Sequence, residues 1–512
     1  MAQEDKATET QGTPIKAEAT ITATATPVVP RGDFVAPGDP PPFRPTIPPS
    51  EHEAAKQAAA EMLKAVTTDT TAPTRSGDTQ AEAAAAVLAP PSTVVLSIDG
   101  VDQATACGTC RPPDTHGAVG DTHFVEVTNS HVDIYSKTGV SVQSISLNSF
   151  FNYTNQFLFD PRVVYDSVWR RWIITADAFQ ESATVQLLFI GVSLTSDPTG
   201  PFFIYAVNVN LTGDDFFDYP QLGFDQDAVI ITANIFSNAT QGLKYAEMFA
   251  VAKARLYNGL GFSVPVFTGL TATLAPPIVS DQNATTFLVA APATGNTLAL
   301  YAARDLSRAF GASLVLQANV PVPDYTIPAS AAQPGTGSTL DTLDCRFVNA
   351  STQVGDSLWQ VHSTAFSAAV SLATPRFYEI NTATNSLNQT GQFFASNTSH
   401  DWNASIAANP AGEAFVDWSS TDPPNGTNPQ VRFSGRQPSD PSGVIPAGDV
   451  LCSSQAAYDG ERWGDYSAMT LDPQPAVVGG NVCDPDRTAW FVNEKVIDPG
   501  NWGTCIGAIS FC

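Results

Sequence analysis

From Ser92 to the C-terminus, apolar and polar residues alternate over short runs bounded by Gly, Pro, Asn and Asp, as in Val94-Val-Leu-Ser-Ile, His123-Phe-Val-Glu-Val-Thr and Val132-Asp-Ile-Tyr. Alternation with period two over runs this short predicts strands joined by tight turns. A longer period overlies it. An acidic residue opens an apolar stretch at Asp160-Pro-Arg-Val-Val-Tyr, Asp218-Tyr-Pro-Gln-Leu-Gly, Asp341-Thr-Leu-Asp-Cys-Arg, Asp401-Trp-Asn-Ala-Ser-Ile and Asp465-Tyr-Ser-Ala-Met-Thr, with a degenerate copy at Pro276-Pro-Ile-Val-Ser. A second apolar run follows each, among them Trp172-Ile-Ile-Thr-Ala, Val229-Ile-Ile-Thr-Ala and Phe287-Leu-Val-Ala-Ala.

Recurrence about every 60 residues marks a radial or solenoid array. With a shorter opening unit at Asp114, unit starts fall near 114, 160, 218, 276, 341, 401 and 465. Each unit has room for four strands, so the predicted fold is all-β, a seven-bladed β-propeller, with six or eight blades as the alternatives. The strand near Val94 could close the ring by joining the last unit.

The N-terminal part reads differently. Residues 1–49 are rich in Thr, Ala and Pro, a composition that buries too little apolar surface to fold alone, and they are expected to form a disordered arm. Residues 50–91 read as a short helical linker, opened by the capping box Ser50-Glu-His-Glu53. The propeller is expected to occupy 92–512.

Composition narrows the function. The 512 residues carry a formal net charge of -26 with only 14% charged positions, which disfavours nucleic acid and anionic membrane as partners. No apolar run is long enough to cross a bilayer, and Met1-Ala-Gln-Glu-Asp lacks the basic start and apolar core of a signal peptide. Few lysines, abundant Thr, Asn and Ser, and seven cysteines nevertheless read as an exported chain, extracellular, at the cell surface or periplasmic, whose leader is processed or trimmed. Seven is an odd number, so at least one thiol is free or paired between chains if the compartment oxidises, and Cys107-Gly-Thr-Cys110 reads as a local structural disulfide or inert thiols rather than a redox pair or half a metal site. The Asn-x-Ser/Thr sequons follow from composition.

In a propeller the first strand of each blade lines the central channel, so the recurring acids are expected to gather at one rim. Candidate catalytic residues are therefore Asp341, Asp401, Asp465 and Tyr466. Candidate ligand-binding residues are Arg162, Asp218, Tyr219, Arg346, His400, Trp402, Arg462 and Trp463. Carboxylates accept sugar hydroxyls, aromatic rings pack on the C–H face of a pyranose, and arginine forks hold acidic groups. His400 adds a group that titrates near neutral pH in its ordinary state. A repeated acid is also what repeated turn geometry requires, so residues that break the repeat, including Asp114 and His116, carry more functional information.

The segments Pro112-Pro-Asp-Thr-His-Gly-Ala-Val-Gly120, Asp160-Pro-Arg-Val-Val-Tyr-Asp166, Asp218-Tyr-Pro-Gln-Leu-Gly223, Pro334-Gly-Thr-Gly-Ser-Thr-Leu-Asp341, Arg462-Trp-Gly-Asp-Tyr-Ser467 and Trp490-Phe-Val-Asn-Glu494 resemble uncharacterised exported bacterial proteins with a sialidase-like propeller fold. The resemblance covers most of residues 110–512 and implies an exported propeller, without a reaction. The Ser-x-Asp-x-Gly-x-Thr-Trp boxes and the Arg-Ile-Pro segment of true sialidases are absent.

No Gly-x-Ser-x-Gly, phosphate loop, dinucleotide fingerprint or His-Glu-x-x-His occurs. No cofactor is expected. Calcium is more plausible than zinc, at Asp214-Asp215, Asp459 with Glu461, or Asp484 with Asp486, although these read first as solvated acidic loops, and His123 with His131 is a weaker metal pair. Three functions remain: a propeller binding a carbohydrate or other polar ligand at its axial rim; a glycoside hydrolase or polysaccharide lyase using two rim acids; and a surface or assembly subunit that self-associates through its N-terminal arm.

Overall fold

The computed structural model describes residues 12–30, Arg75, 93–460 and 462–512. Among these residues strands consecutive in the chain mostly pair antiparallel, and seven opening strands divide them into units in chain order. His116–Val119 opens the first, followed by Leu158–Asp166, Asp215–Phe224, Pro277–Val279, Ser351–Val354, His400–Ala408 and Ala468–Leu471. Each opening strand lies against the next, and the last returns to the first. The result is a closed β-propeller. Pro277–Val279 pairs in parallel with its neighbours on both sides, so the opening strands run in one direction and start on one face.

The seventh unit draws on both ends of the propeller sequence. Thr93–Asp102 pairs along Asn501–Ser510 as its outermost strand, the closure that the run near Val94 suggested. Every unit is pressed between two others, so its inner strands, such as Leu158–Asp166 and Ala228–Ser237, are buried on both faces and the core is divided into separate layers. One layer packs Val125, Val127 and Ile134 of the first unit on Val163, Trp172 and Ile174 of the second. Another packs Ile173, Val192 and Tyr205 on Leu222, Ile231 and Phe249 of the third. This division spreads the described residues over several small cores instead of one oversized one.

The expected disordered arm needs correction over part of its length. Thr13–Ile15, Ala17–Ala23 and Ala25–Val28 are strands that pair with the outer strands Ser313–Tyr325, Phe262–Leu270 and Phe202–Asn208 of the fourth, third and second units. The segment Ala17-Glu-Ala-Thr-Ile-Thr-Ala cannot build a core alone. An open sheet edge supplies the backbone partners it lacks, and Ile21 and Ala23 become buried. Residues 1–11 and 31–49, and the predicted linker 50–91 apart from Arg75, lie outside the described residues.

Three disulfides, Cys107–Cys110, Cys452–Cys505 and Cys483–Cys512, leave out Cys345, a buried thiol that donates to the Thr326 carbonyl at 3.2 Å. Cys452–Cys505 links the sixth unit to the seventh. The closing strand is also tied to the first unit by Glu126, which accepts from the Val101 amide at 3.1 Å, the Tyr135 hydroxyl at 3.2 Å and the Thr115 hydroxyl at 3.3 Å.

Burial, reinforced by Asp133, pushes the Glu126 carboxyl up to about 8. The folded state therefore binds a proton that the unfolded chain releases at lower pH. This contribution to stability is full below an ordinary pKa of 4.5 and is lost as pH rises through about 8. Glu126→Gln, which keeps the shape but cannot ionise, is expected to lose less melting temperature than the parent between pH 6 and pH 9. Equal losses in thermal melts would contradict the assignment.

Candidate functional site

The opening strands carry a recurring β-bulge. Arg162 pairs with Thr175 and Phe159 with Asp177; Gln221 pairs with Thr232 and Asp218 with Asn234; Ser405 pairs with Asp417 and Trp402 with Ser419. In each case two residues oppose one. The first of the two has a left-handed backbone: Asp160 at φ 48, Tyr219 at φ 56 and Asn403 at φ 51. A bulge re-aims the side chains that follow it. Those side chains, Arg162, Gln221 and Ser405, converge on the axis.

Arg162 is 1% exposed and stands at the centre. Its Nε donates to the Pro220 carbonyl of the third unit at 2.8 Å. Its Nη1 donates to the Val348 carbonyl and to Asn349 Oδ1, ahead of the fifth unit's opening strand, at 3.0 and 2.9 Å. Its Cζ lies 3.4 Å from the ring centre of Tyr466 in the seventh unit. Asn349 then donates to the Ser405 hydroxyl and the Ser467 carbonyl, and Ser467 Oγ donates to the Asn403 carbonyl at 3.0 Å. His116 accepts from the Val163 amide at 3.3 Å, and burial beside Arg162 holds its pKa well below the usual value, so it is neutral. The axis is thus filled by a polar plug.

Above the plug, at the strand starts, charges are paired. Tyr466 donates its hydroxyl to Asp160 Oδ2 at 2.6 Å, and Tyr219 donates to the Asp465 carbonyl at 3.1 Å with the two rings edge to face at 4.9 Å. Burial holds both phenols well above their ordinary pKa and therefore protonated. Arg346 grips Asp344 with two bonds of 2.6 and 2.7 Å and lies 4.8 Å from the Tyr219 ring centre. Burial opposes its charge, but Asp344 keeps its pKa well above the ordinary value. Arg462 reaches Asp465 Oδ1 at 3.2 Å, and the Asp465 amide donates to Asp114 Oδ1 at 2.7 Å.

The structure brings together Arg162, Tyr219, Arg346, Arg462, Asp465 and Tyr466 from the sequence candidates. Asp218 stands one residue before the bulge, at the place of Phe159 and Trp402, so the acids do not form one ring. Asp341 belongs to a turn after the hairpin Ala331–Ala332 with Thr339–Leu340, ten residues before the fifth opening strand, and accepts the Leu343 amide at 3.0 Å. Asp401 is fully buried and accepts the Ala395 amide, the Trp418 indole and the Ser399 hydroxyl at 3.1, 2.9 and 2.5 Å. It is a structural acid.

Trp402 and Trp463, each 1% exposed, pack edge to face at 5.5 Å in an apolar layer with Val101, Leu340 and Trp502. Neither offers a face to a sugar. His400 is buried beside Arg75, and burial lowers its pKa to about 4, so it stays neutral near pH 7 and is not the switch its position suggested.

Sequence reading missed Asn129, Asn349 and Glu494 as site residues, whereas the spacing of Arg346 two residues after Asp344 already suggested the two-bond pair that forms. Asn129 takes the Asp160 amide at 2.8 Å and donates to Asp114 at 2.6 Å. Glu494 accepts the Gly464 amide at 2.6 Å, and burial raises its pKa well above the carboxylate range despite Arg462 nearby. It lay in a quoted motif, but only the fold places it behind Asp465.

Among the described residues no group of three His, Cys, Asp or Glu could hold a metal. Asp214 and Asp215 are engaged by Ala239, Ser237 and Lys244, and Glu461 lies outside the described residues. His123 and His131 pair with Ser136 and Thr128 at opposite ends of their hairpin, too far apart to share an ion.

No protein-family model matches the chain, and no curated protein matches it. Similar solved structures include the hemagglutinin-neuraminidase of Parainfluenza Virus 5, 10% identical over 71% of this chain and 90% of that one, TM-score 0.36. An exo-β-1,3-galactanase from Phanerochaete chrysosporium is 11% identical over 81% of this chain and 99% of that one, TM-score 0.32. A subtype N10 neuraminidase-like protein from little yellow-shouldered bat is 7% identical over 67% and 99%, TM-score 0.34. Likeness at this level transfers no activity.

Removing the centre of the plug leaves several buried acceptors unpaired, each costing about 1–3 kcal/mol. Arg162→Met is therefore expected to lose about 3 kcal/mol or more in urea unfolding, with a smaller loss for Arg346→Met at the rim. A reversed order would contradict the central role of Arg162.

Proposed function

We propose that the chain is a binding propeller that takes a carbohydrate or similarly hydroxyl-rich polar ligand at the rim marked by Arg346, Asp344, Arg462 and Asp465. The observation that carries this reading is the pairing of charges at the rim. Arg346 and Arg462 keep 14% and 17% side-chain exposure, and each is held by an acid, so donors and acceptors are fixed side by side at the start of the channel. A sugar hydroxyl both donates and accepts, and such a pair meets it on both counts.

Turnover is less favoured than binding. A glycosidase needs one free carboxylic acid and one carboxylate facing a common opening. Asp401 is sealed behind three donors, Asp341 lies in a turn, and the protonated Glu494 is fully buried. Export fits the three disulfides, which persist in oxidising compartments and are rare in the cytosol.

Screening on a glycan array with the full chain, alongside a panel of chromogenic glycosides and acidic polysaccharides, tests this reading. Saturable glycan binding without turnover is expected, weakened at least tenfold by Arg346→Ala and by Asp465→Asn. Turnover that disappears in Asp465→Asn would replace it with the hydrolase or lyase reading. Absence of any glycan binding would sink it.

A further inference from the structure

Arg75 is the one described residue between positions 31 and 92, and its side chain is 2% exposed at the junction of the fifth and sixth units. Its partners lie 298 to 324 residues away along the chain. Nη1 donates to the Ser396 and Ser399 carbonyls at 2.6 and 2.9 Å, and Nη2 to the Ala373 carbonyl and the Thr374 hydroxyl at 3.1 and 2.7 Å. The Asp401 carboxylate stands 3.6 Å from Nη2. Phe394 and Phe366 cover the guanidinium at 4.2 and 5.4 Å from their ring centres, with their planes perpendicular. The Arg75 amide donates to the Asn397 carbonyl at 3.0 Å.

The walls of this pocket are held by other residues. Asp401 accepts from Ala395 and Ser399, and Ser396 Oγ accepts the Thr398 and Ser399 amides at 3.1 Å while donating to Asp422 at 2.5 Å. The turn whose carbonyls receive the guanidinium is therefore shaped by bonds that do not involve Arg75. Acceptors on two sides, a carboxylate and two ring faces suit a flat fork. A compact ammonium would leave some of those acceptors unpaired.

We propose that this pocket is a guanidinium-recognition site whose resident ligand is the chain's own Arg75, and that it pins the N-terminal segment to the propeller face on which the opening strands start. The pocket recognises the alkylguanidinium group itself. When Arg75 is truncated, a free alkylguanidinium takes its place.

The test is chemical rescue in the full chain, with methylguanidinium as the probe and methylammonium as the control. Arg75→Ala is expected to melt several degrees below the parent, and millimolar methylguanidinium is expected to restore part of that loss saturably while methylammonium does not. Calorimetric affinity for methylguanidinium should be at least tenfold higher in Arg75→Ala than in the parent. Equal affinity, or a response shared by methylammonium, overturns the proposal and leaves Arg75 as an ordinary packing residue.

If Arg75→Ala does not fold, hydrogen exchange on the parent decides. The peptide containing Arg75 should exchange faster in 
about 50 mM methylguanidinium than in methylammonium, a concentration chosen well below the molar range in which guanidinium unfolds proteins, with inner-strand peptides unchanged. Unaltered exchange overturns the proposal.

Discussion

The guanidinium of Arg162 is the group on which the centre of the ring depends. It joins the second unit to the third through Pro220, to the fifth through Val348 and Asn349, and to the seventh through the face of Tyr466. A propeller has no central hydrophobic core, because its apolar layers lie between neighbouring units. Something polar must fill the axis, and donors and acceptors left unmatched there, away from bulk water, are costly. Asn349, Ser405 and Ser467 continue the network to the sixth and seventh units.

The bulges and the rim follow from that requirement. Inserting one residue at Asp160, Tyr219 and Asn403 turns the next long side chain inward and costs a left-handed backbone at a residue other than glycine. For Asp and Asn that cost is modest. For Tyr219 it is offset by the hydroxyl bond to the Asp465 carbonyl and the cover of Arg346. The same strand starts carry the paired charges of Arg346 with Asp344 and Arg462 with Asp465, so a ligand bound there as proposed would meet an already paired surface. Preorganisation of this kind favours binding at low ordering cost.

The period, the strand type and the closure by the strand near Val94 were legible because alternation and recurrence are local properties of the chain. Register was not. One inserted residue displaces Asp218 from the place of Asp160, although the Pro at 161 and at 220 marks the same position in both copies and would have aligned Tyr219 correctly. The role of Arg162 was hidden because its acceptors at Val348 and Asn349 are 186 and 187 residues away. Trp402 and Trp463 looked like sugar platforms because nothing near them in sequence announces Val101, Leu340 and Trp502, which cover them. The strands at 13–28 were read by composition as an arm, whereas their Thr and Ala alternation was itself a strand signal that needed an edge to pair with.

A double-mutant cycle between Arg162→Met and Ser467→Ala, followed by urea unfolding, tests the central claim most directly. The two side chains are linked through Asn349, which accepts from Arg162 and donates to the Ser405 hydroxyl, and through Ser405, whose hydroxyl bonds that of Ser467 at 2.5 Å. A shared network predicts a coupling energy of about 1 kcal/mol or more. Additivity within roughly 0.3–0.5 kcal/mol, as for independent sites, would contradict the account of the axis as one connected polar plug.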